Sequence, residues 1–152
     1  MNDLNIKIRL ITELVQLIGS KIKRIKAAIS DTSESMKNDT KSSAGDKFET
    51  GREMMQIELN KQQVQLGKQL HLQKDLKQIN LNKTYSTVEF GSLVQTNKGI
   101  YLMAIAHGKL NVEGIDYYAL SMASPIGQAL KGAKAGDTIH FNKQNIVIKE
   151  VL

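Results

Sequence analysis

A chain of 152 residues has room for one ordinary domain or two small ones, and 41% hydrophobic with 24% charged residues is the balance of a soluble folded protein. Cysteine is absent, which excludes disulfides, cysteine-ligated zinc and every thiol nucleophile, and with them thiol-dependent acyl transfer. The net charge of +6 favours polyanionic partners, and with no apolar run near the roughly 20 residues of a membrane helix and no visible signal peptide, a cytoplasmic protein without a membrane partner is expected.

Leu4, Ile8, Ile11, Val15, Ile18, Ile22, Ile25 and Ile29 recur at spacings of four and three without a break, and Thr32 and Met36 continue the seam. This is the a/d signature of a coiled coil. A helix of roughly 30 residues reaches about 45 Å, and such a stripe needs a second helix to cover it. The same stretch, up to Ser30, carries six basic residues (Lys7, Arg9, Lys21, Lys23, Arg24, Lys26) against Asp3 and Glu13. A solvated helix face accounts for them. So does a surface that follows RNA or phosphate, for which Lys21 and Arg24 are the candidates.

Asn38 to Asp46 is rich in turn formers and poor in apolar residues. Beyond it, Lys47 to Asn80 reads as the covering helix, with Met55, Leu59, Leu66, Leu70 and Leu76 as its apolar contacts and Met54 beside Met55 lining the pair. Gln62, Gln63, Gln69 and Gln73 dilute that seam. The simplest arrangement is an antiparallel hairpin with its tip near residues 37–49, in a monomer; the alternative pairs the first helix with a second copy of itself. At the tip stand Asp46 and Glu49. Their spacing is that of a capping box at the start of helix two. Two exposed carboxylates can equally contribute to a Mg²⁺ site, the other ligands coming from a partner's active site and its nucleic acid.

Of seven aromatic residues only Phe48 precedes Tyr85, and seven of the eleven glycines lie at or beyond Gly91. The character of the chain therefore changes near Asn82, giving a helical domain over 1–81 and a β-rich domain over 82–152. Strands are expected at Val88 to Val94, Gly99 to Ala106, Ile115 to Ser121, Ile139 to Phe141 and Asn145 to Val151. Asn97 to Gly99, Asn111 to Gly114 and Asn142 to Asn145 are the turns between them. One short helix interrupts, with Ser124 as N-cap, Pro125 at the first helical position and Gly132 closing the end. The fold class is α+β: a long helical hairpin followed by an antiparallel sheet with one short helix.

Enzymatic constellations are scarce. His71, His107 and His140 lack metal-ligand spacing, and no GxSxG, HExxH or phosphate-binding glycine loop is present. Gly132 to Asp137 resembles a phosphate loop, but between a short helix and a strand it reads as a turn.

Val88-x-Phe90-Gly91-x-x-Val94, then Ser124-Pro125-Ile126-Gly127-x-Ala129-Leu130-x-Gly132, Gly136-Asp137 and a closing strand at Ile146 to Leu152 resemble the FKBP-like domain of the Gre transcript-cleavage factors. Gly45-Asp46-x-x-Glu49 falls where that family carries a Gly-Asp-x-x-Glu tip motif, and the helical first half matches by architecture. The resemblance implies an accessory factor of bacterial RNA polymerase, not an enzyme in its own right. Its C-terminal domain would dock at the mouth of the secondary channel through Ser124, Pro125 and Ile126. The hairpin would then reach the active site, with nascent RNA contacted indirectly and DNA present in the elongation complex. There Asp46 and Glu49 would help hold a Mg²⁺ shared with the polymerase, none being bound stably by the factor alone, so that backtracked RNA is cut. After Glu49 the sequence departs from the family: Thr50-Gly51-Arg52-Glu53 stands where typical members have Asn-Ala-Glu-Tyr. A Gre-fold regulator that occupies the channel without stimulating cleavage is therefore the alternative. A prolyl isomerase, on the FKBP-like likeness, is a third.

Overall fold

The computed structural model describes the backbone of residues 3–39 and 45–152, and the side chains of these residues except 3, 39 and 45–49. Two helices open the chain, α1 (Asp3–Asp39) and α2 (Gly45–Lys77). Four strands follow, β1 (Leu93–Thr96), β2 (Ile100–Ala104), β3 (Gly108–Val112) and β4 (Ile115–Ser121), then α3 (Pro125–Leu130), β5 (Thr138–Phe141) and β6 (Gln144–Val151). The α+β class expected from the sequence is the one observed. By packing, the chain forms two compact units: Val15–Lys74, and Asp75–Leu152 together with the first turns of α1 up to Leu14. The compositional change at residue 82 lies inside the second.

In the helical unit the isoleucine seam does what its spacing implies. Ile18 and Ile22 are buried, and Ile25, Ile29, Thr32 and Met36 are half-buried. Asp31, Thr32 and Ser35 share a cavity with Met54, Met55 and Glu58, so the two helices run antiparallel. The covering seam of α2 is Met55, Leu59, Gln62, Leu66, Gln69 and Gln73, all half-buried or buried. Leu70, expected among the contacts, is 41% exposed. Steps of four and three lead from Leu66 to Gln69 and Gln73, and leave Leu70 beside the seam.

In the sheet-bearing unit the first turns of α1 bury Ile6, Lys7, Leu10, Ile11 and Leu14. Leu4 and Ile8 are only half-buried, and Val15, where the helical unit begins, is 40% exposed. The buried line here keeps Ile11 of the expected seam but takes Lys7 in place of Ile8 and Leu14 in place of Val15, and Ile6 and Leu10 widen the apolar band beside it.

The six strands make one sheet in the order β3-β4-β2-β1-β6-β5. It is mixed, where an antiparallel sheet was expected: β2 and β4 run parallel, Ile100 beside Tyr117 through Ala104 beside Ser121. The cause is β3, which the sequence did not reveal. It pairs with β4 through a hairpin turned at Glu113 and Gly114, both at positive φ (54° and 81°), and this hairpin inserts β4 between β3 and β2. The strand expected over Val88 to Val94 begins only at Leu93. Residues 89–92 form a turn, closed by Ser92 Oγ donating to the Glu89 carbonyl (2.6 Å) and accepting from the Glu89 amide (3.1 Å). Gly91 sits there at φ 95°, where a β-carbon would come within 2.9 Å of the Tyr85 hydroxyl.

Side chains alternate across the sheet. Val94, Tyr101, Met103, Ile146 and Ile148 form one core with Val88, Ala133 and Leu130 of α3. On the opposite face Leu93, Ile100 and Tyr117 line a cavity of about 190 Å³ with Ile6 of α1 and Leu152.

Candidate functional site

Ser124 to Gly127, the most distinctive run in the sequence, is explained residue by residue by the start of α3. Ser124 is extended (φ −66°, ψ 156°); its hydroxyl accepts from the Gly127 amide at 3.1 Å and donates to the Ser121 carbonyl at 2.7 Å. Pro125 takes the first helical position, where no amide hydrogen is needed. Ile126 packs half-buried against the core. A β-carbon on Gly127 would run into the carbonyl oxygens of Ser121 and Met122, so only glycine lets the helix lie this close to the end of β4. Gly132, at φ 78°, follows the Lys131 cap.

Of the three candidate docking residues, Pro125 is exposed and Ser124 and Ile126 are half-buried. Beside them an open cleft of about 510 Å³ is lined by Thr87, Val88, Glu89, Phe90, Met122, Lys131 and Gly132. Phe90 is the one aromatic in that lining. The Gly132 to Asp137 stretch is a turn, as expected: Asp137 Oδ2 accepts from the Lys134 amide at 3.0 Å.

The backbone of α2 begins at Gly45, so Asp46 and Glu49 stand in its first two turns and Asp46 does not precede the helix as an N-cap. Acidic residues there suit the positive end of the helix dipole. Their side chains lie outside the described residues. Among the described residues no three acidic or histidine side chains gather as metal ligands, and no helix is long and apolar enough to cross a membrane.

Arg24 is exposed and Lys21 half-buried. The antiparallel pairing adds a partner that the reading of α1 alone missed. It sets residues 15–30 alongside 59–74, and these stretches contribute Lys21, Lys23, Arg24, Lys26, Lys61, Lys68 and Lys74 without one acidic residue. Residues 31–58 hold Asp31, Glu34, Asp39, Asp46, Glu49, Glu53 and Glu58 against Lys37, Lys41, Lys47 and Arg52. The signal was legible in the sequence once both helices were counted together.

Two of the six basic residues of the opening stretch are engaged within the sheet-bearing unit. Arg9 pairs with Glu113 at 2.8 Å. Lys7 is fully buried. Its Nζ donates to the carbonyls of Lys83 (3.1 Å) and Leu152 (3.2 Å) and lies 4.7 Å from the centre of the Tyr85 ring, with Lys83 Nζ 4.8 Å from the same ring. Desolvation lowers its pKa from 10.5 to about 8. The sequence counted Lys7 as surface charge; its place four residues before Ile11 and seven before Leu14 was the sign that it lies on the buried line.

Fold and site together define an α+β protein whose paired helices are divided by charge and whose sheet carries a capped short helix. No protein-family model matches the chain, and no curated protein matches it. Among solved structures it is similar to one titled "Structure of the transcription factor Gfh1", with 14% sequence identity and a TM-score of 0.34 over 90% of this chain and 92% of that one. A likeness of that size assigns neither family nor function.

Proposed function

We propose that the chain is a Gre-like accessory factor of bacterial RNA polymerase, which binds at the secondary channel and stimulates cleavage of backtracked RNA. The observation that carries this reading is the charge division of the helical unit. Lys21, Lys23, Arg24 and Lys26 of α1, with no acidic residue among 15–30 or in the 59–74 stretch alongside, favour a phosphate chain along α1. The acids concentrate beyond them, and the Gly45-Asp46-x-x-Glu49 motif lies among those acids.

Asp46 and Glu49 would hold a Mg²⁺ only together with further ligands from the polymerase, its RNA and water, since two carboxylates do not make a complete site. When bound, Mg²⁺ offsets negative charge on the phosphate and favours the nucleophilic form of water. The work of this chain is to orient two carboxylates at the end of paired helices. Docking falls to the sheet-bearing unit around Ser124, Pro125 and Ile126. The factor acts as a cytoplasmic monomer and catalyses nothing alone. A prolyl isomerase ranks below this reading, since the cleft beside α3 offers Phe90 as its sole aromatic wall.

The test is cleavage by purified backtracked polymerase. Wild-type protein should bind and accelerate cleavage; Asp46→Asn with Glu49→Gln should bind with nearly unchanged affinity and lose the acceleration, because the tip acts in the transition state and the docking energy is remote. Wild-type protein that fails to bind polymerase refutes the reading. Binding without acceleration favours the alternative, a regulator that occupies the channel. The specific observation behind that alternative is Thr50-Gly51-Arg52-Glu53, which lacks the asparagine and aromatic residue of the family's tip.

A further inference from the structure

The helix α2 carries two seams. One, from Met55 to Gln73, faces α1. The other follows Ile57, Lys61, Val64 and Lys68, at spacings of four, three and four, and lies on the opposite side of the helix. Ile57 is 67% exposed and Val64 60%, and both lysines are exposed. Isolated apolar residues on a surface need no explanation. Two β-branched residues two turns apart, each followed four residues later by lysine, have the spacing of a coiled-coil seam, and no helix among the described residues covers them.

From this pattern we infer that the outward face of α2 is a docking surface for an acidic amphipathic protein helix, and, resting on the function proposed above, that the polymerase supplies it. Charge selects this occupant. A second copy paired in parallel would set Lys61 and Lys68 against lysines, and like charges oppose that; paired antiparallel, each lysine would lie against Ile57 or Val64 of the other copy and meet no carboxylate on that seam. A bare phosphate chain would engage the lysines but make no use of Ile57 and Val64. An acidic helix satisfies both, placing apolar side chains on Ile57 and Val64 and carboxylates beside the two ammonium groups. No acidic residue of α2 competes between residues 59 and 74.

The experiment measures affinity for purified RNA polymerase by titration of labelled full-length protein, with far-UV circular dichroism as the control for helix content. Ile57→Ser with Val64→Ser, and separately Lys61→Glu with Lys68→Glu, should each weaken binding about tenfold with the helices intact, since all four side chains are exposed. A photo-crosslinking amino acid at position 64 should capture a polymerase segment rich in Asp and Glu. Wild-type protein that binds polymerase while both double variants bind equally well overturns this inference and leaves the proposed function standing. Loss with the lysine pair alone overturns it in favour of phosphate contact, as does capture of a basic segment. Wild-type protein that does not bind polymerase overturns the proposed function itself, and this contact with it.

Discussion

Polar groups are handled differently in the two compact units. In the sheet-bearing unit the buried ones have partners: Lys7 Nζ reaches two carbonyls, Ser92 Oγ closes a turn, and Thr96 Oγ1 donates to the Gly99 carbonyl at 2.8 Å while accepting from the Lys98 and Gly99 amides. In the helical unit Gln62 and Gln69 stand in the seam opposite the isoleucines, and the Oε1 of each is buried without a hydrogen-bond partner among the described residues. An unmet buried acceptor costs roughly 1–3 kcal/mol. The sheet-bearing unit is thus specified by satisfied contacts, and the helical unit gives up stability along its own interface. Polar residues at seam positions are a known means of fixing helix register at the expense of stability. The helices have room for that compromise because their surface chemistry, not their packing, is what the proposed function uses.

The largest effect should come from the tightest packing in the sheet-bearing unit. Gly127→Ala forces a methyl group against the carbonyls of Ser121 and Met122; overpacking on immobile backbone should cost about 3 kcal/mol. All four tyrosines lie between residues 85 and 118, so tyrosine fluorescence in urea follows this unit alone. A midpoint unchanged from wild type would show that α3 can move away from β4.

Lys7→Met keeps the side-chain volume and removes the donor to two carbonyls; at about pH 10, where most of the burial penalty on the lysine charge has faded, we expect a loss of about 2 kcal/mol by the same measurement. The pH dependence sharpens the point. Lys7 binds its proton with a pKa of about 8 when folded and 10.5 when unfolded. Between these values the unfolded chain holds more protons, so stability should rise with pH, by at most about 3 kcal/mol, and the burial penalty is present in full at pH 7. Lys7→Met should flatten that rise. The comparison belongs below about pH 10, because burial raises the pKa of Tyr101 and ionisation of the unfolded chain then acts in the opposite sense.

In the helical unit the sign reverses. Gln62→Leu and Gln69→Leu each remove an unmet acceptor and add apolar surface to the seam. Each should stabilise the helices by about 1–2 kcal/mol, read as a higher melting temperature at 222 nm. Destabilisation would mean that ordered water satisfies these amides and that the contrast between the units is not real.

How far the sequence could be read follows from the same contrast. The helices, β4, β6 and the capped α3 were legible because their signals are local: unbroken spacing, Ser-Pro at a helix start, and glycine where a β-carbon cannot fit. Strand β3 was hidden because Gly108 and Asn111 look like turn formers, although Leu110 and Val112 alternate inward and Asn111 bonds across the hairpin to Asp116 at 2.8 Å. Residues 88–92 looked like strand because Val88 and Phe90 are apolar, and Gly91 was the warning. Burial of Lys7 depends on carbonyls 76 and 145 residues away, and no local pattern encodes partners at that range. For the candidate site, the cations of α1 were readable, while the contribution of α2 to the same basic zone needed the pairing of the helices.

The smallest effect tests whether surface charge matters in the satisfied unit. Glu113 does two things: it pairs with Arg9 at 2.8 Å, and it holds φ 54° in the hairpin turn before Gly114. The pair is about half exposed on both sides (50% and 57%), so its contribution should be small and sensitive to salt. The left-handed conformation, by contrast, disfavours glutamate, and asparagine followed by glycine is the preferred pair for this turn. Glu113→Asn therefore exchanges a screened ion pair for a better turn. At low salt the two should nearly cancel, leaving stability within about 0.5 kcal/mol of wild type. At high salt the ion pair fades, the turn does not, and the variant should become the more stable protein. A variant that stays less stable than wild type at every salt concentration would show that Arg9 and Glu113 fasten α1 to the β3–β4 hairpin more firmly than an exposed pair can.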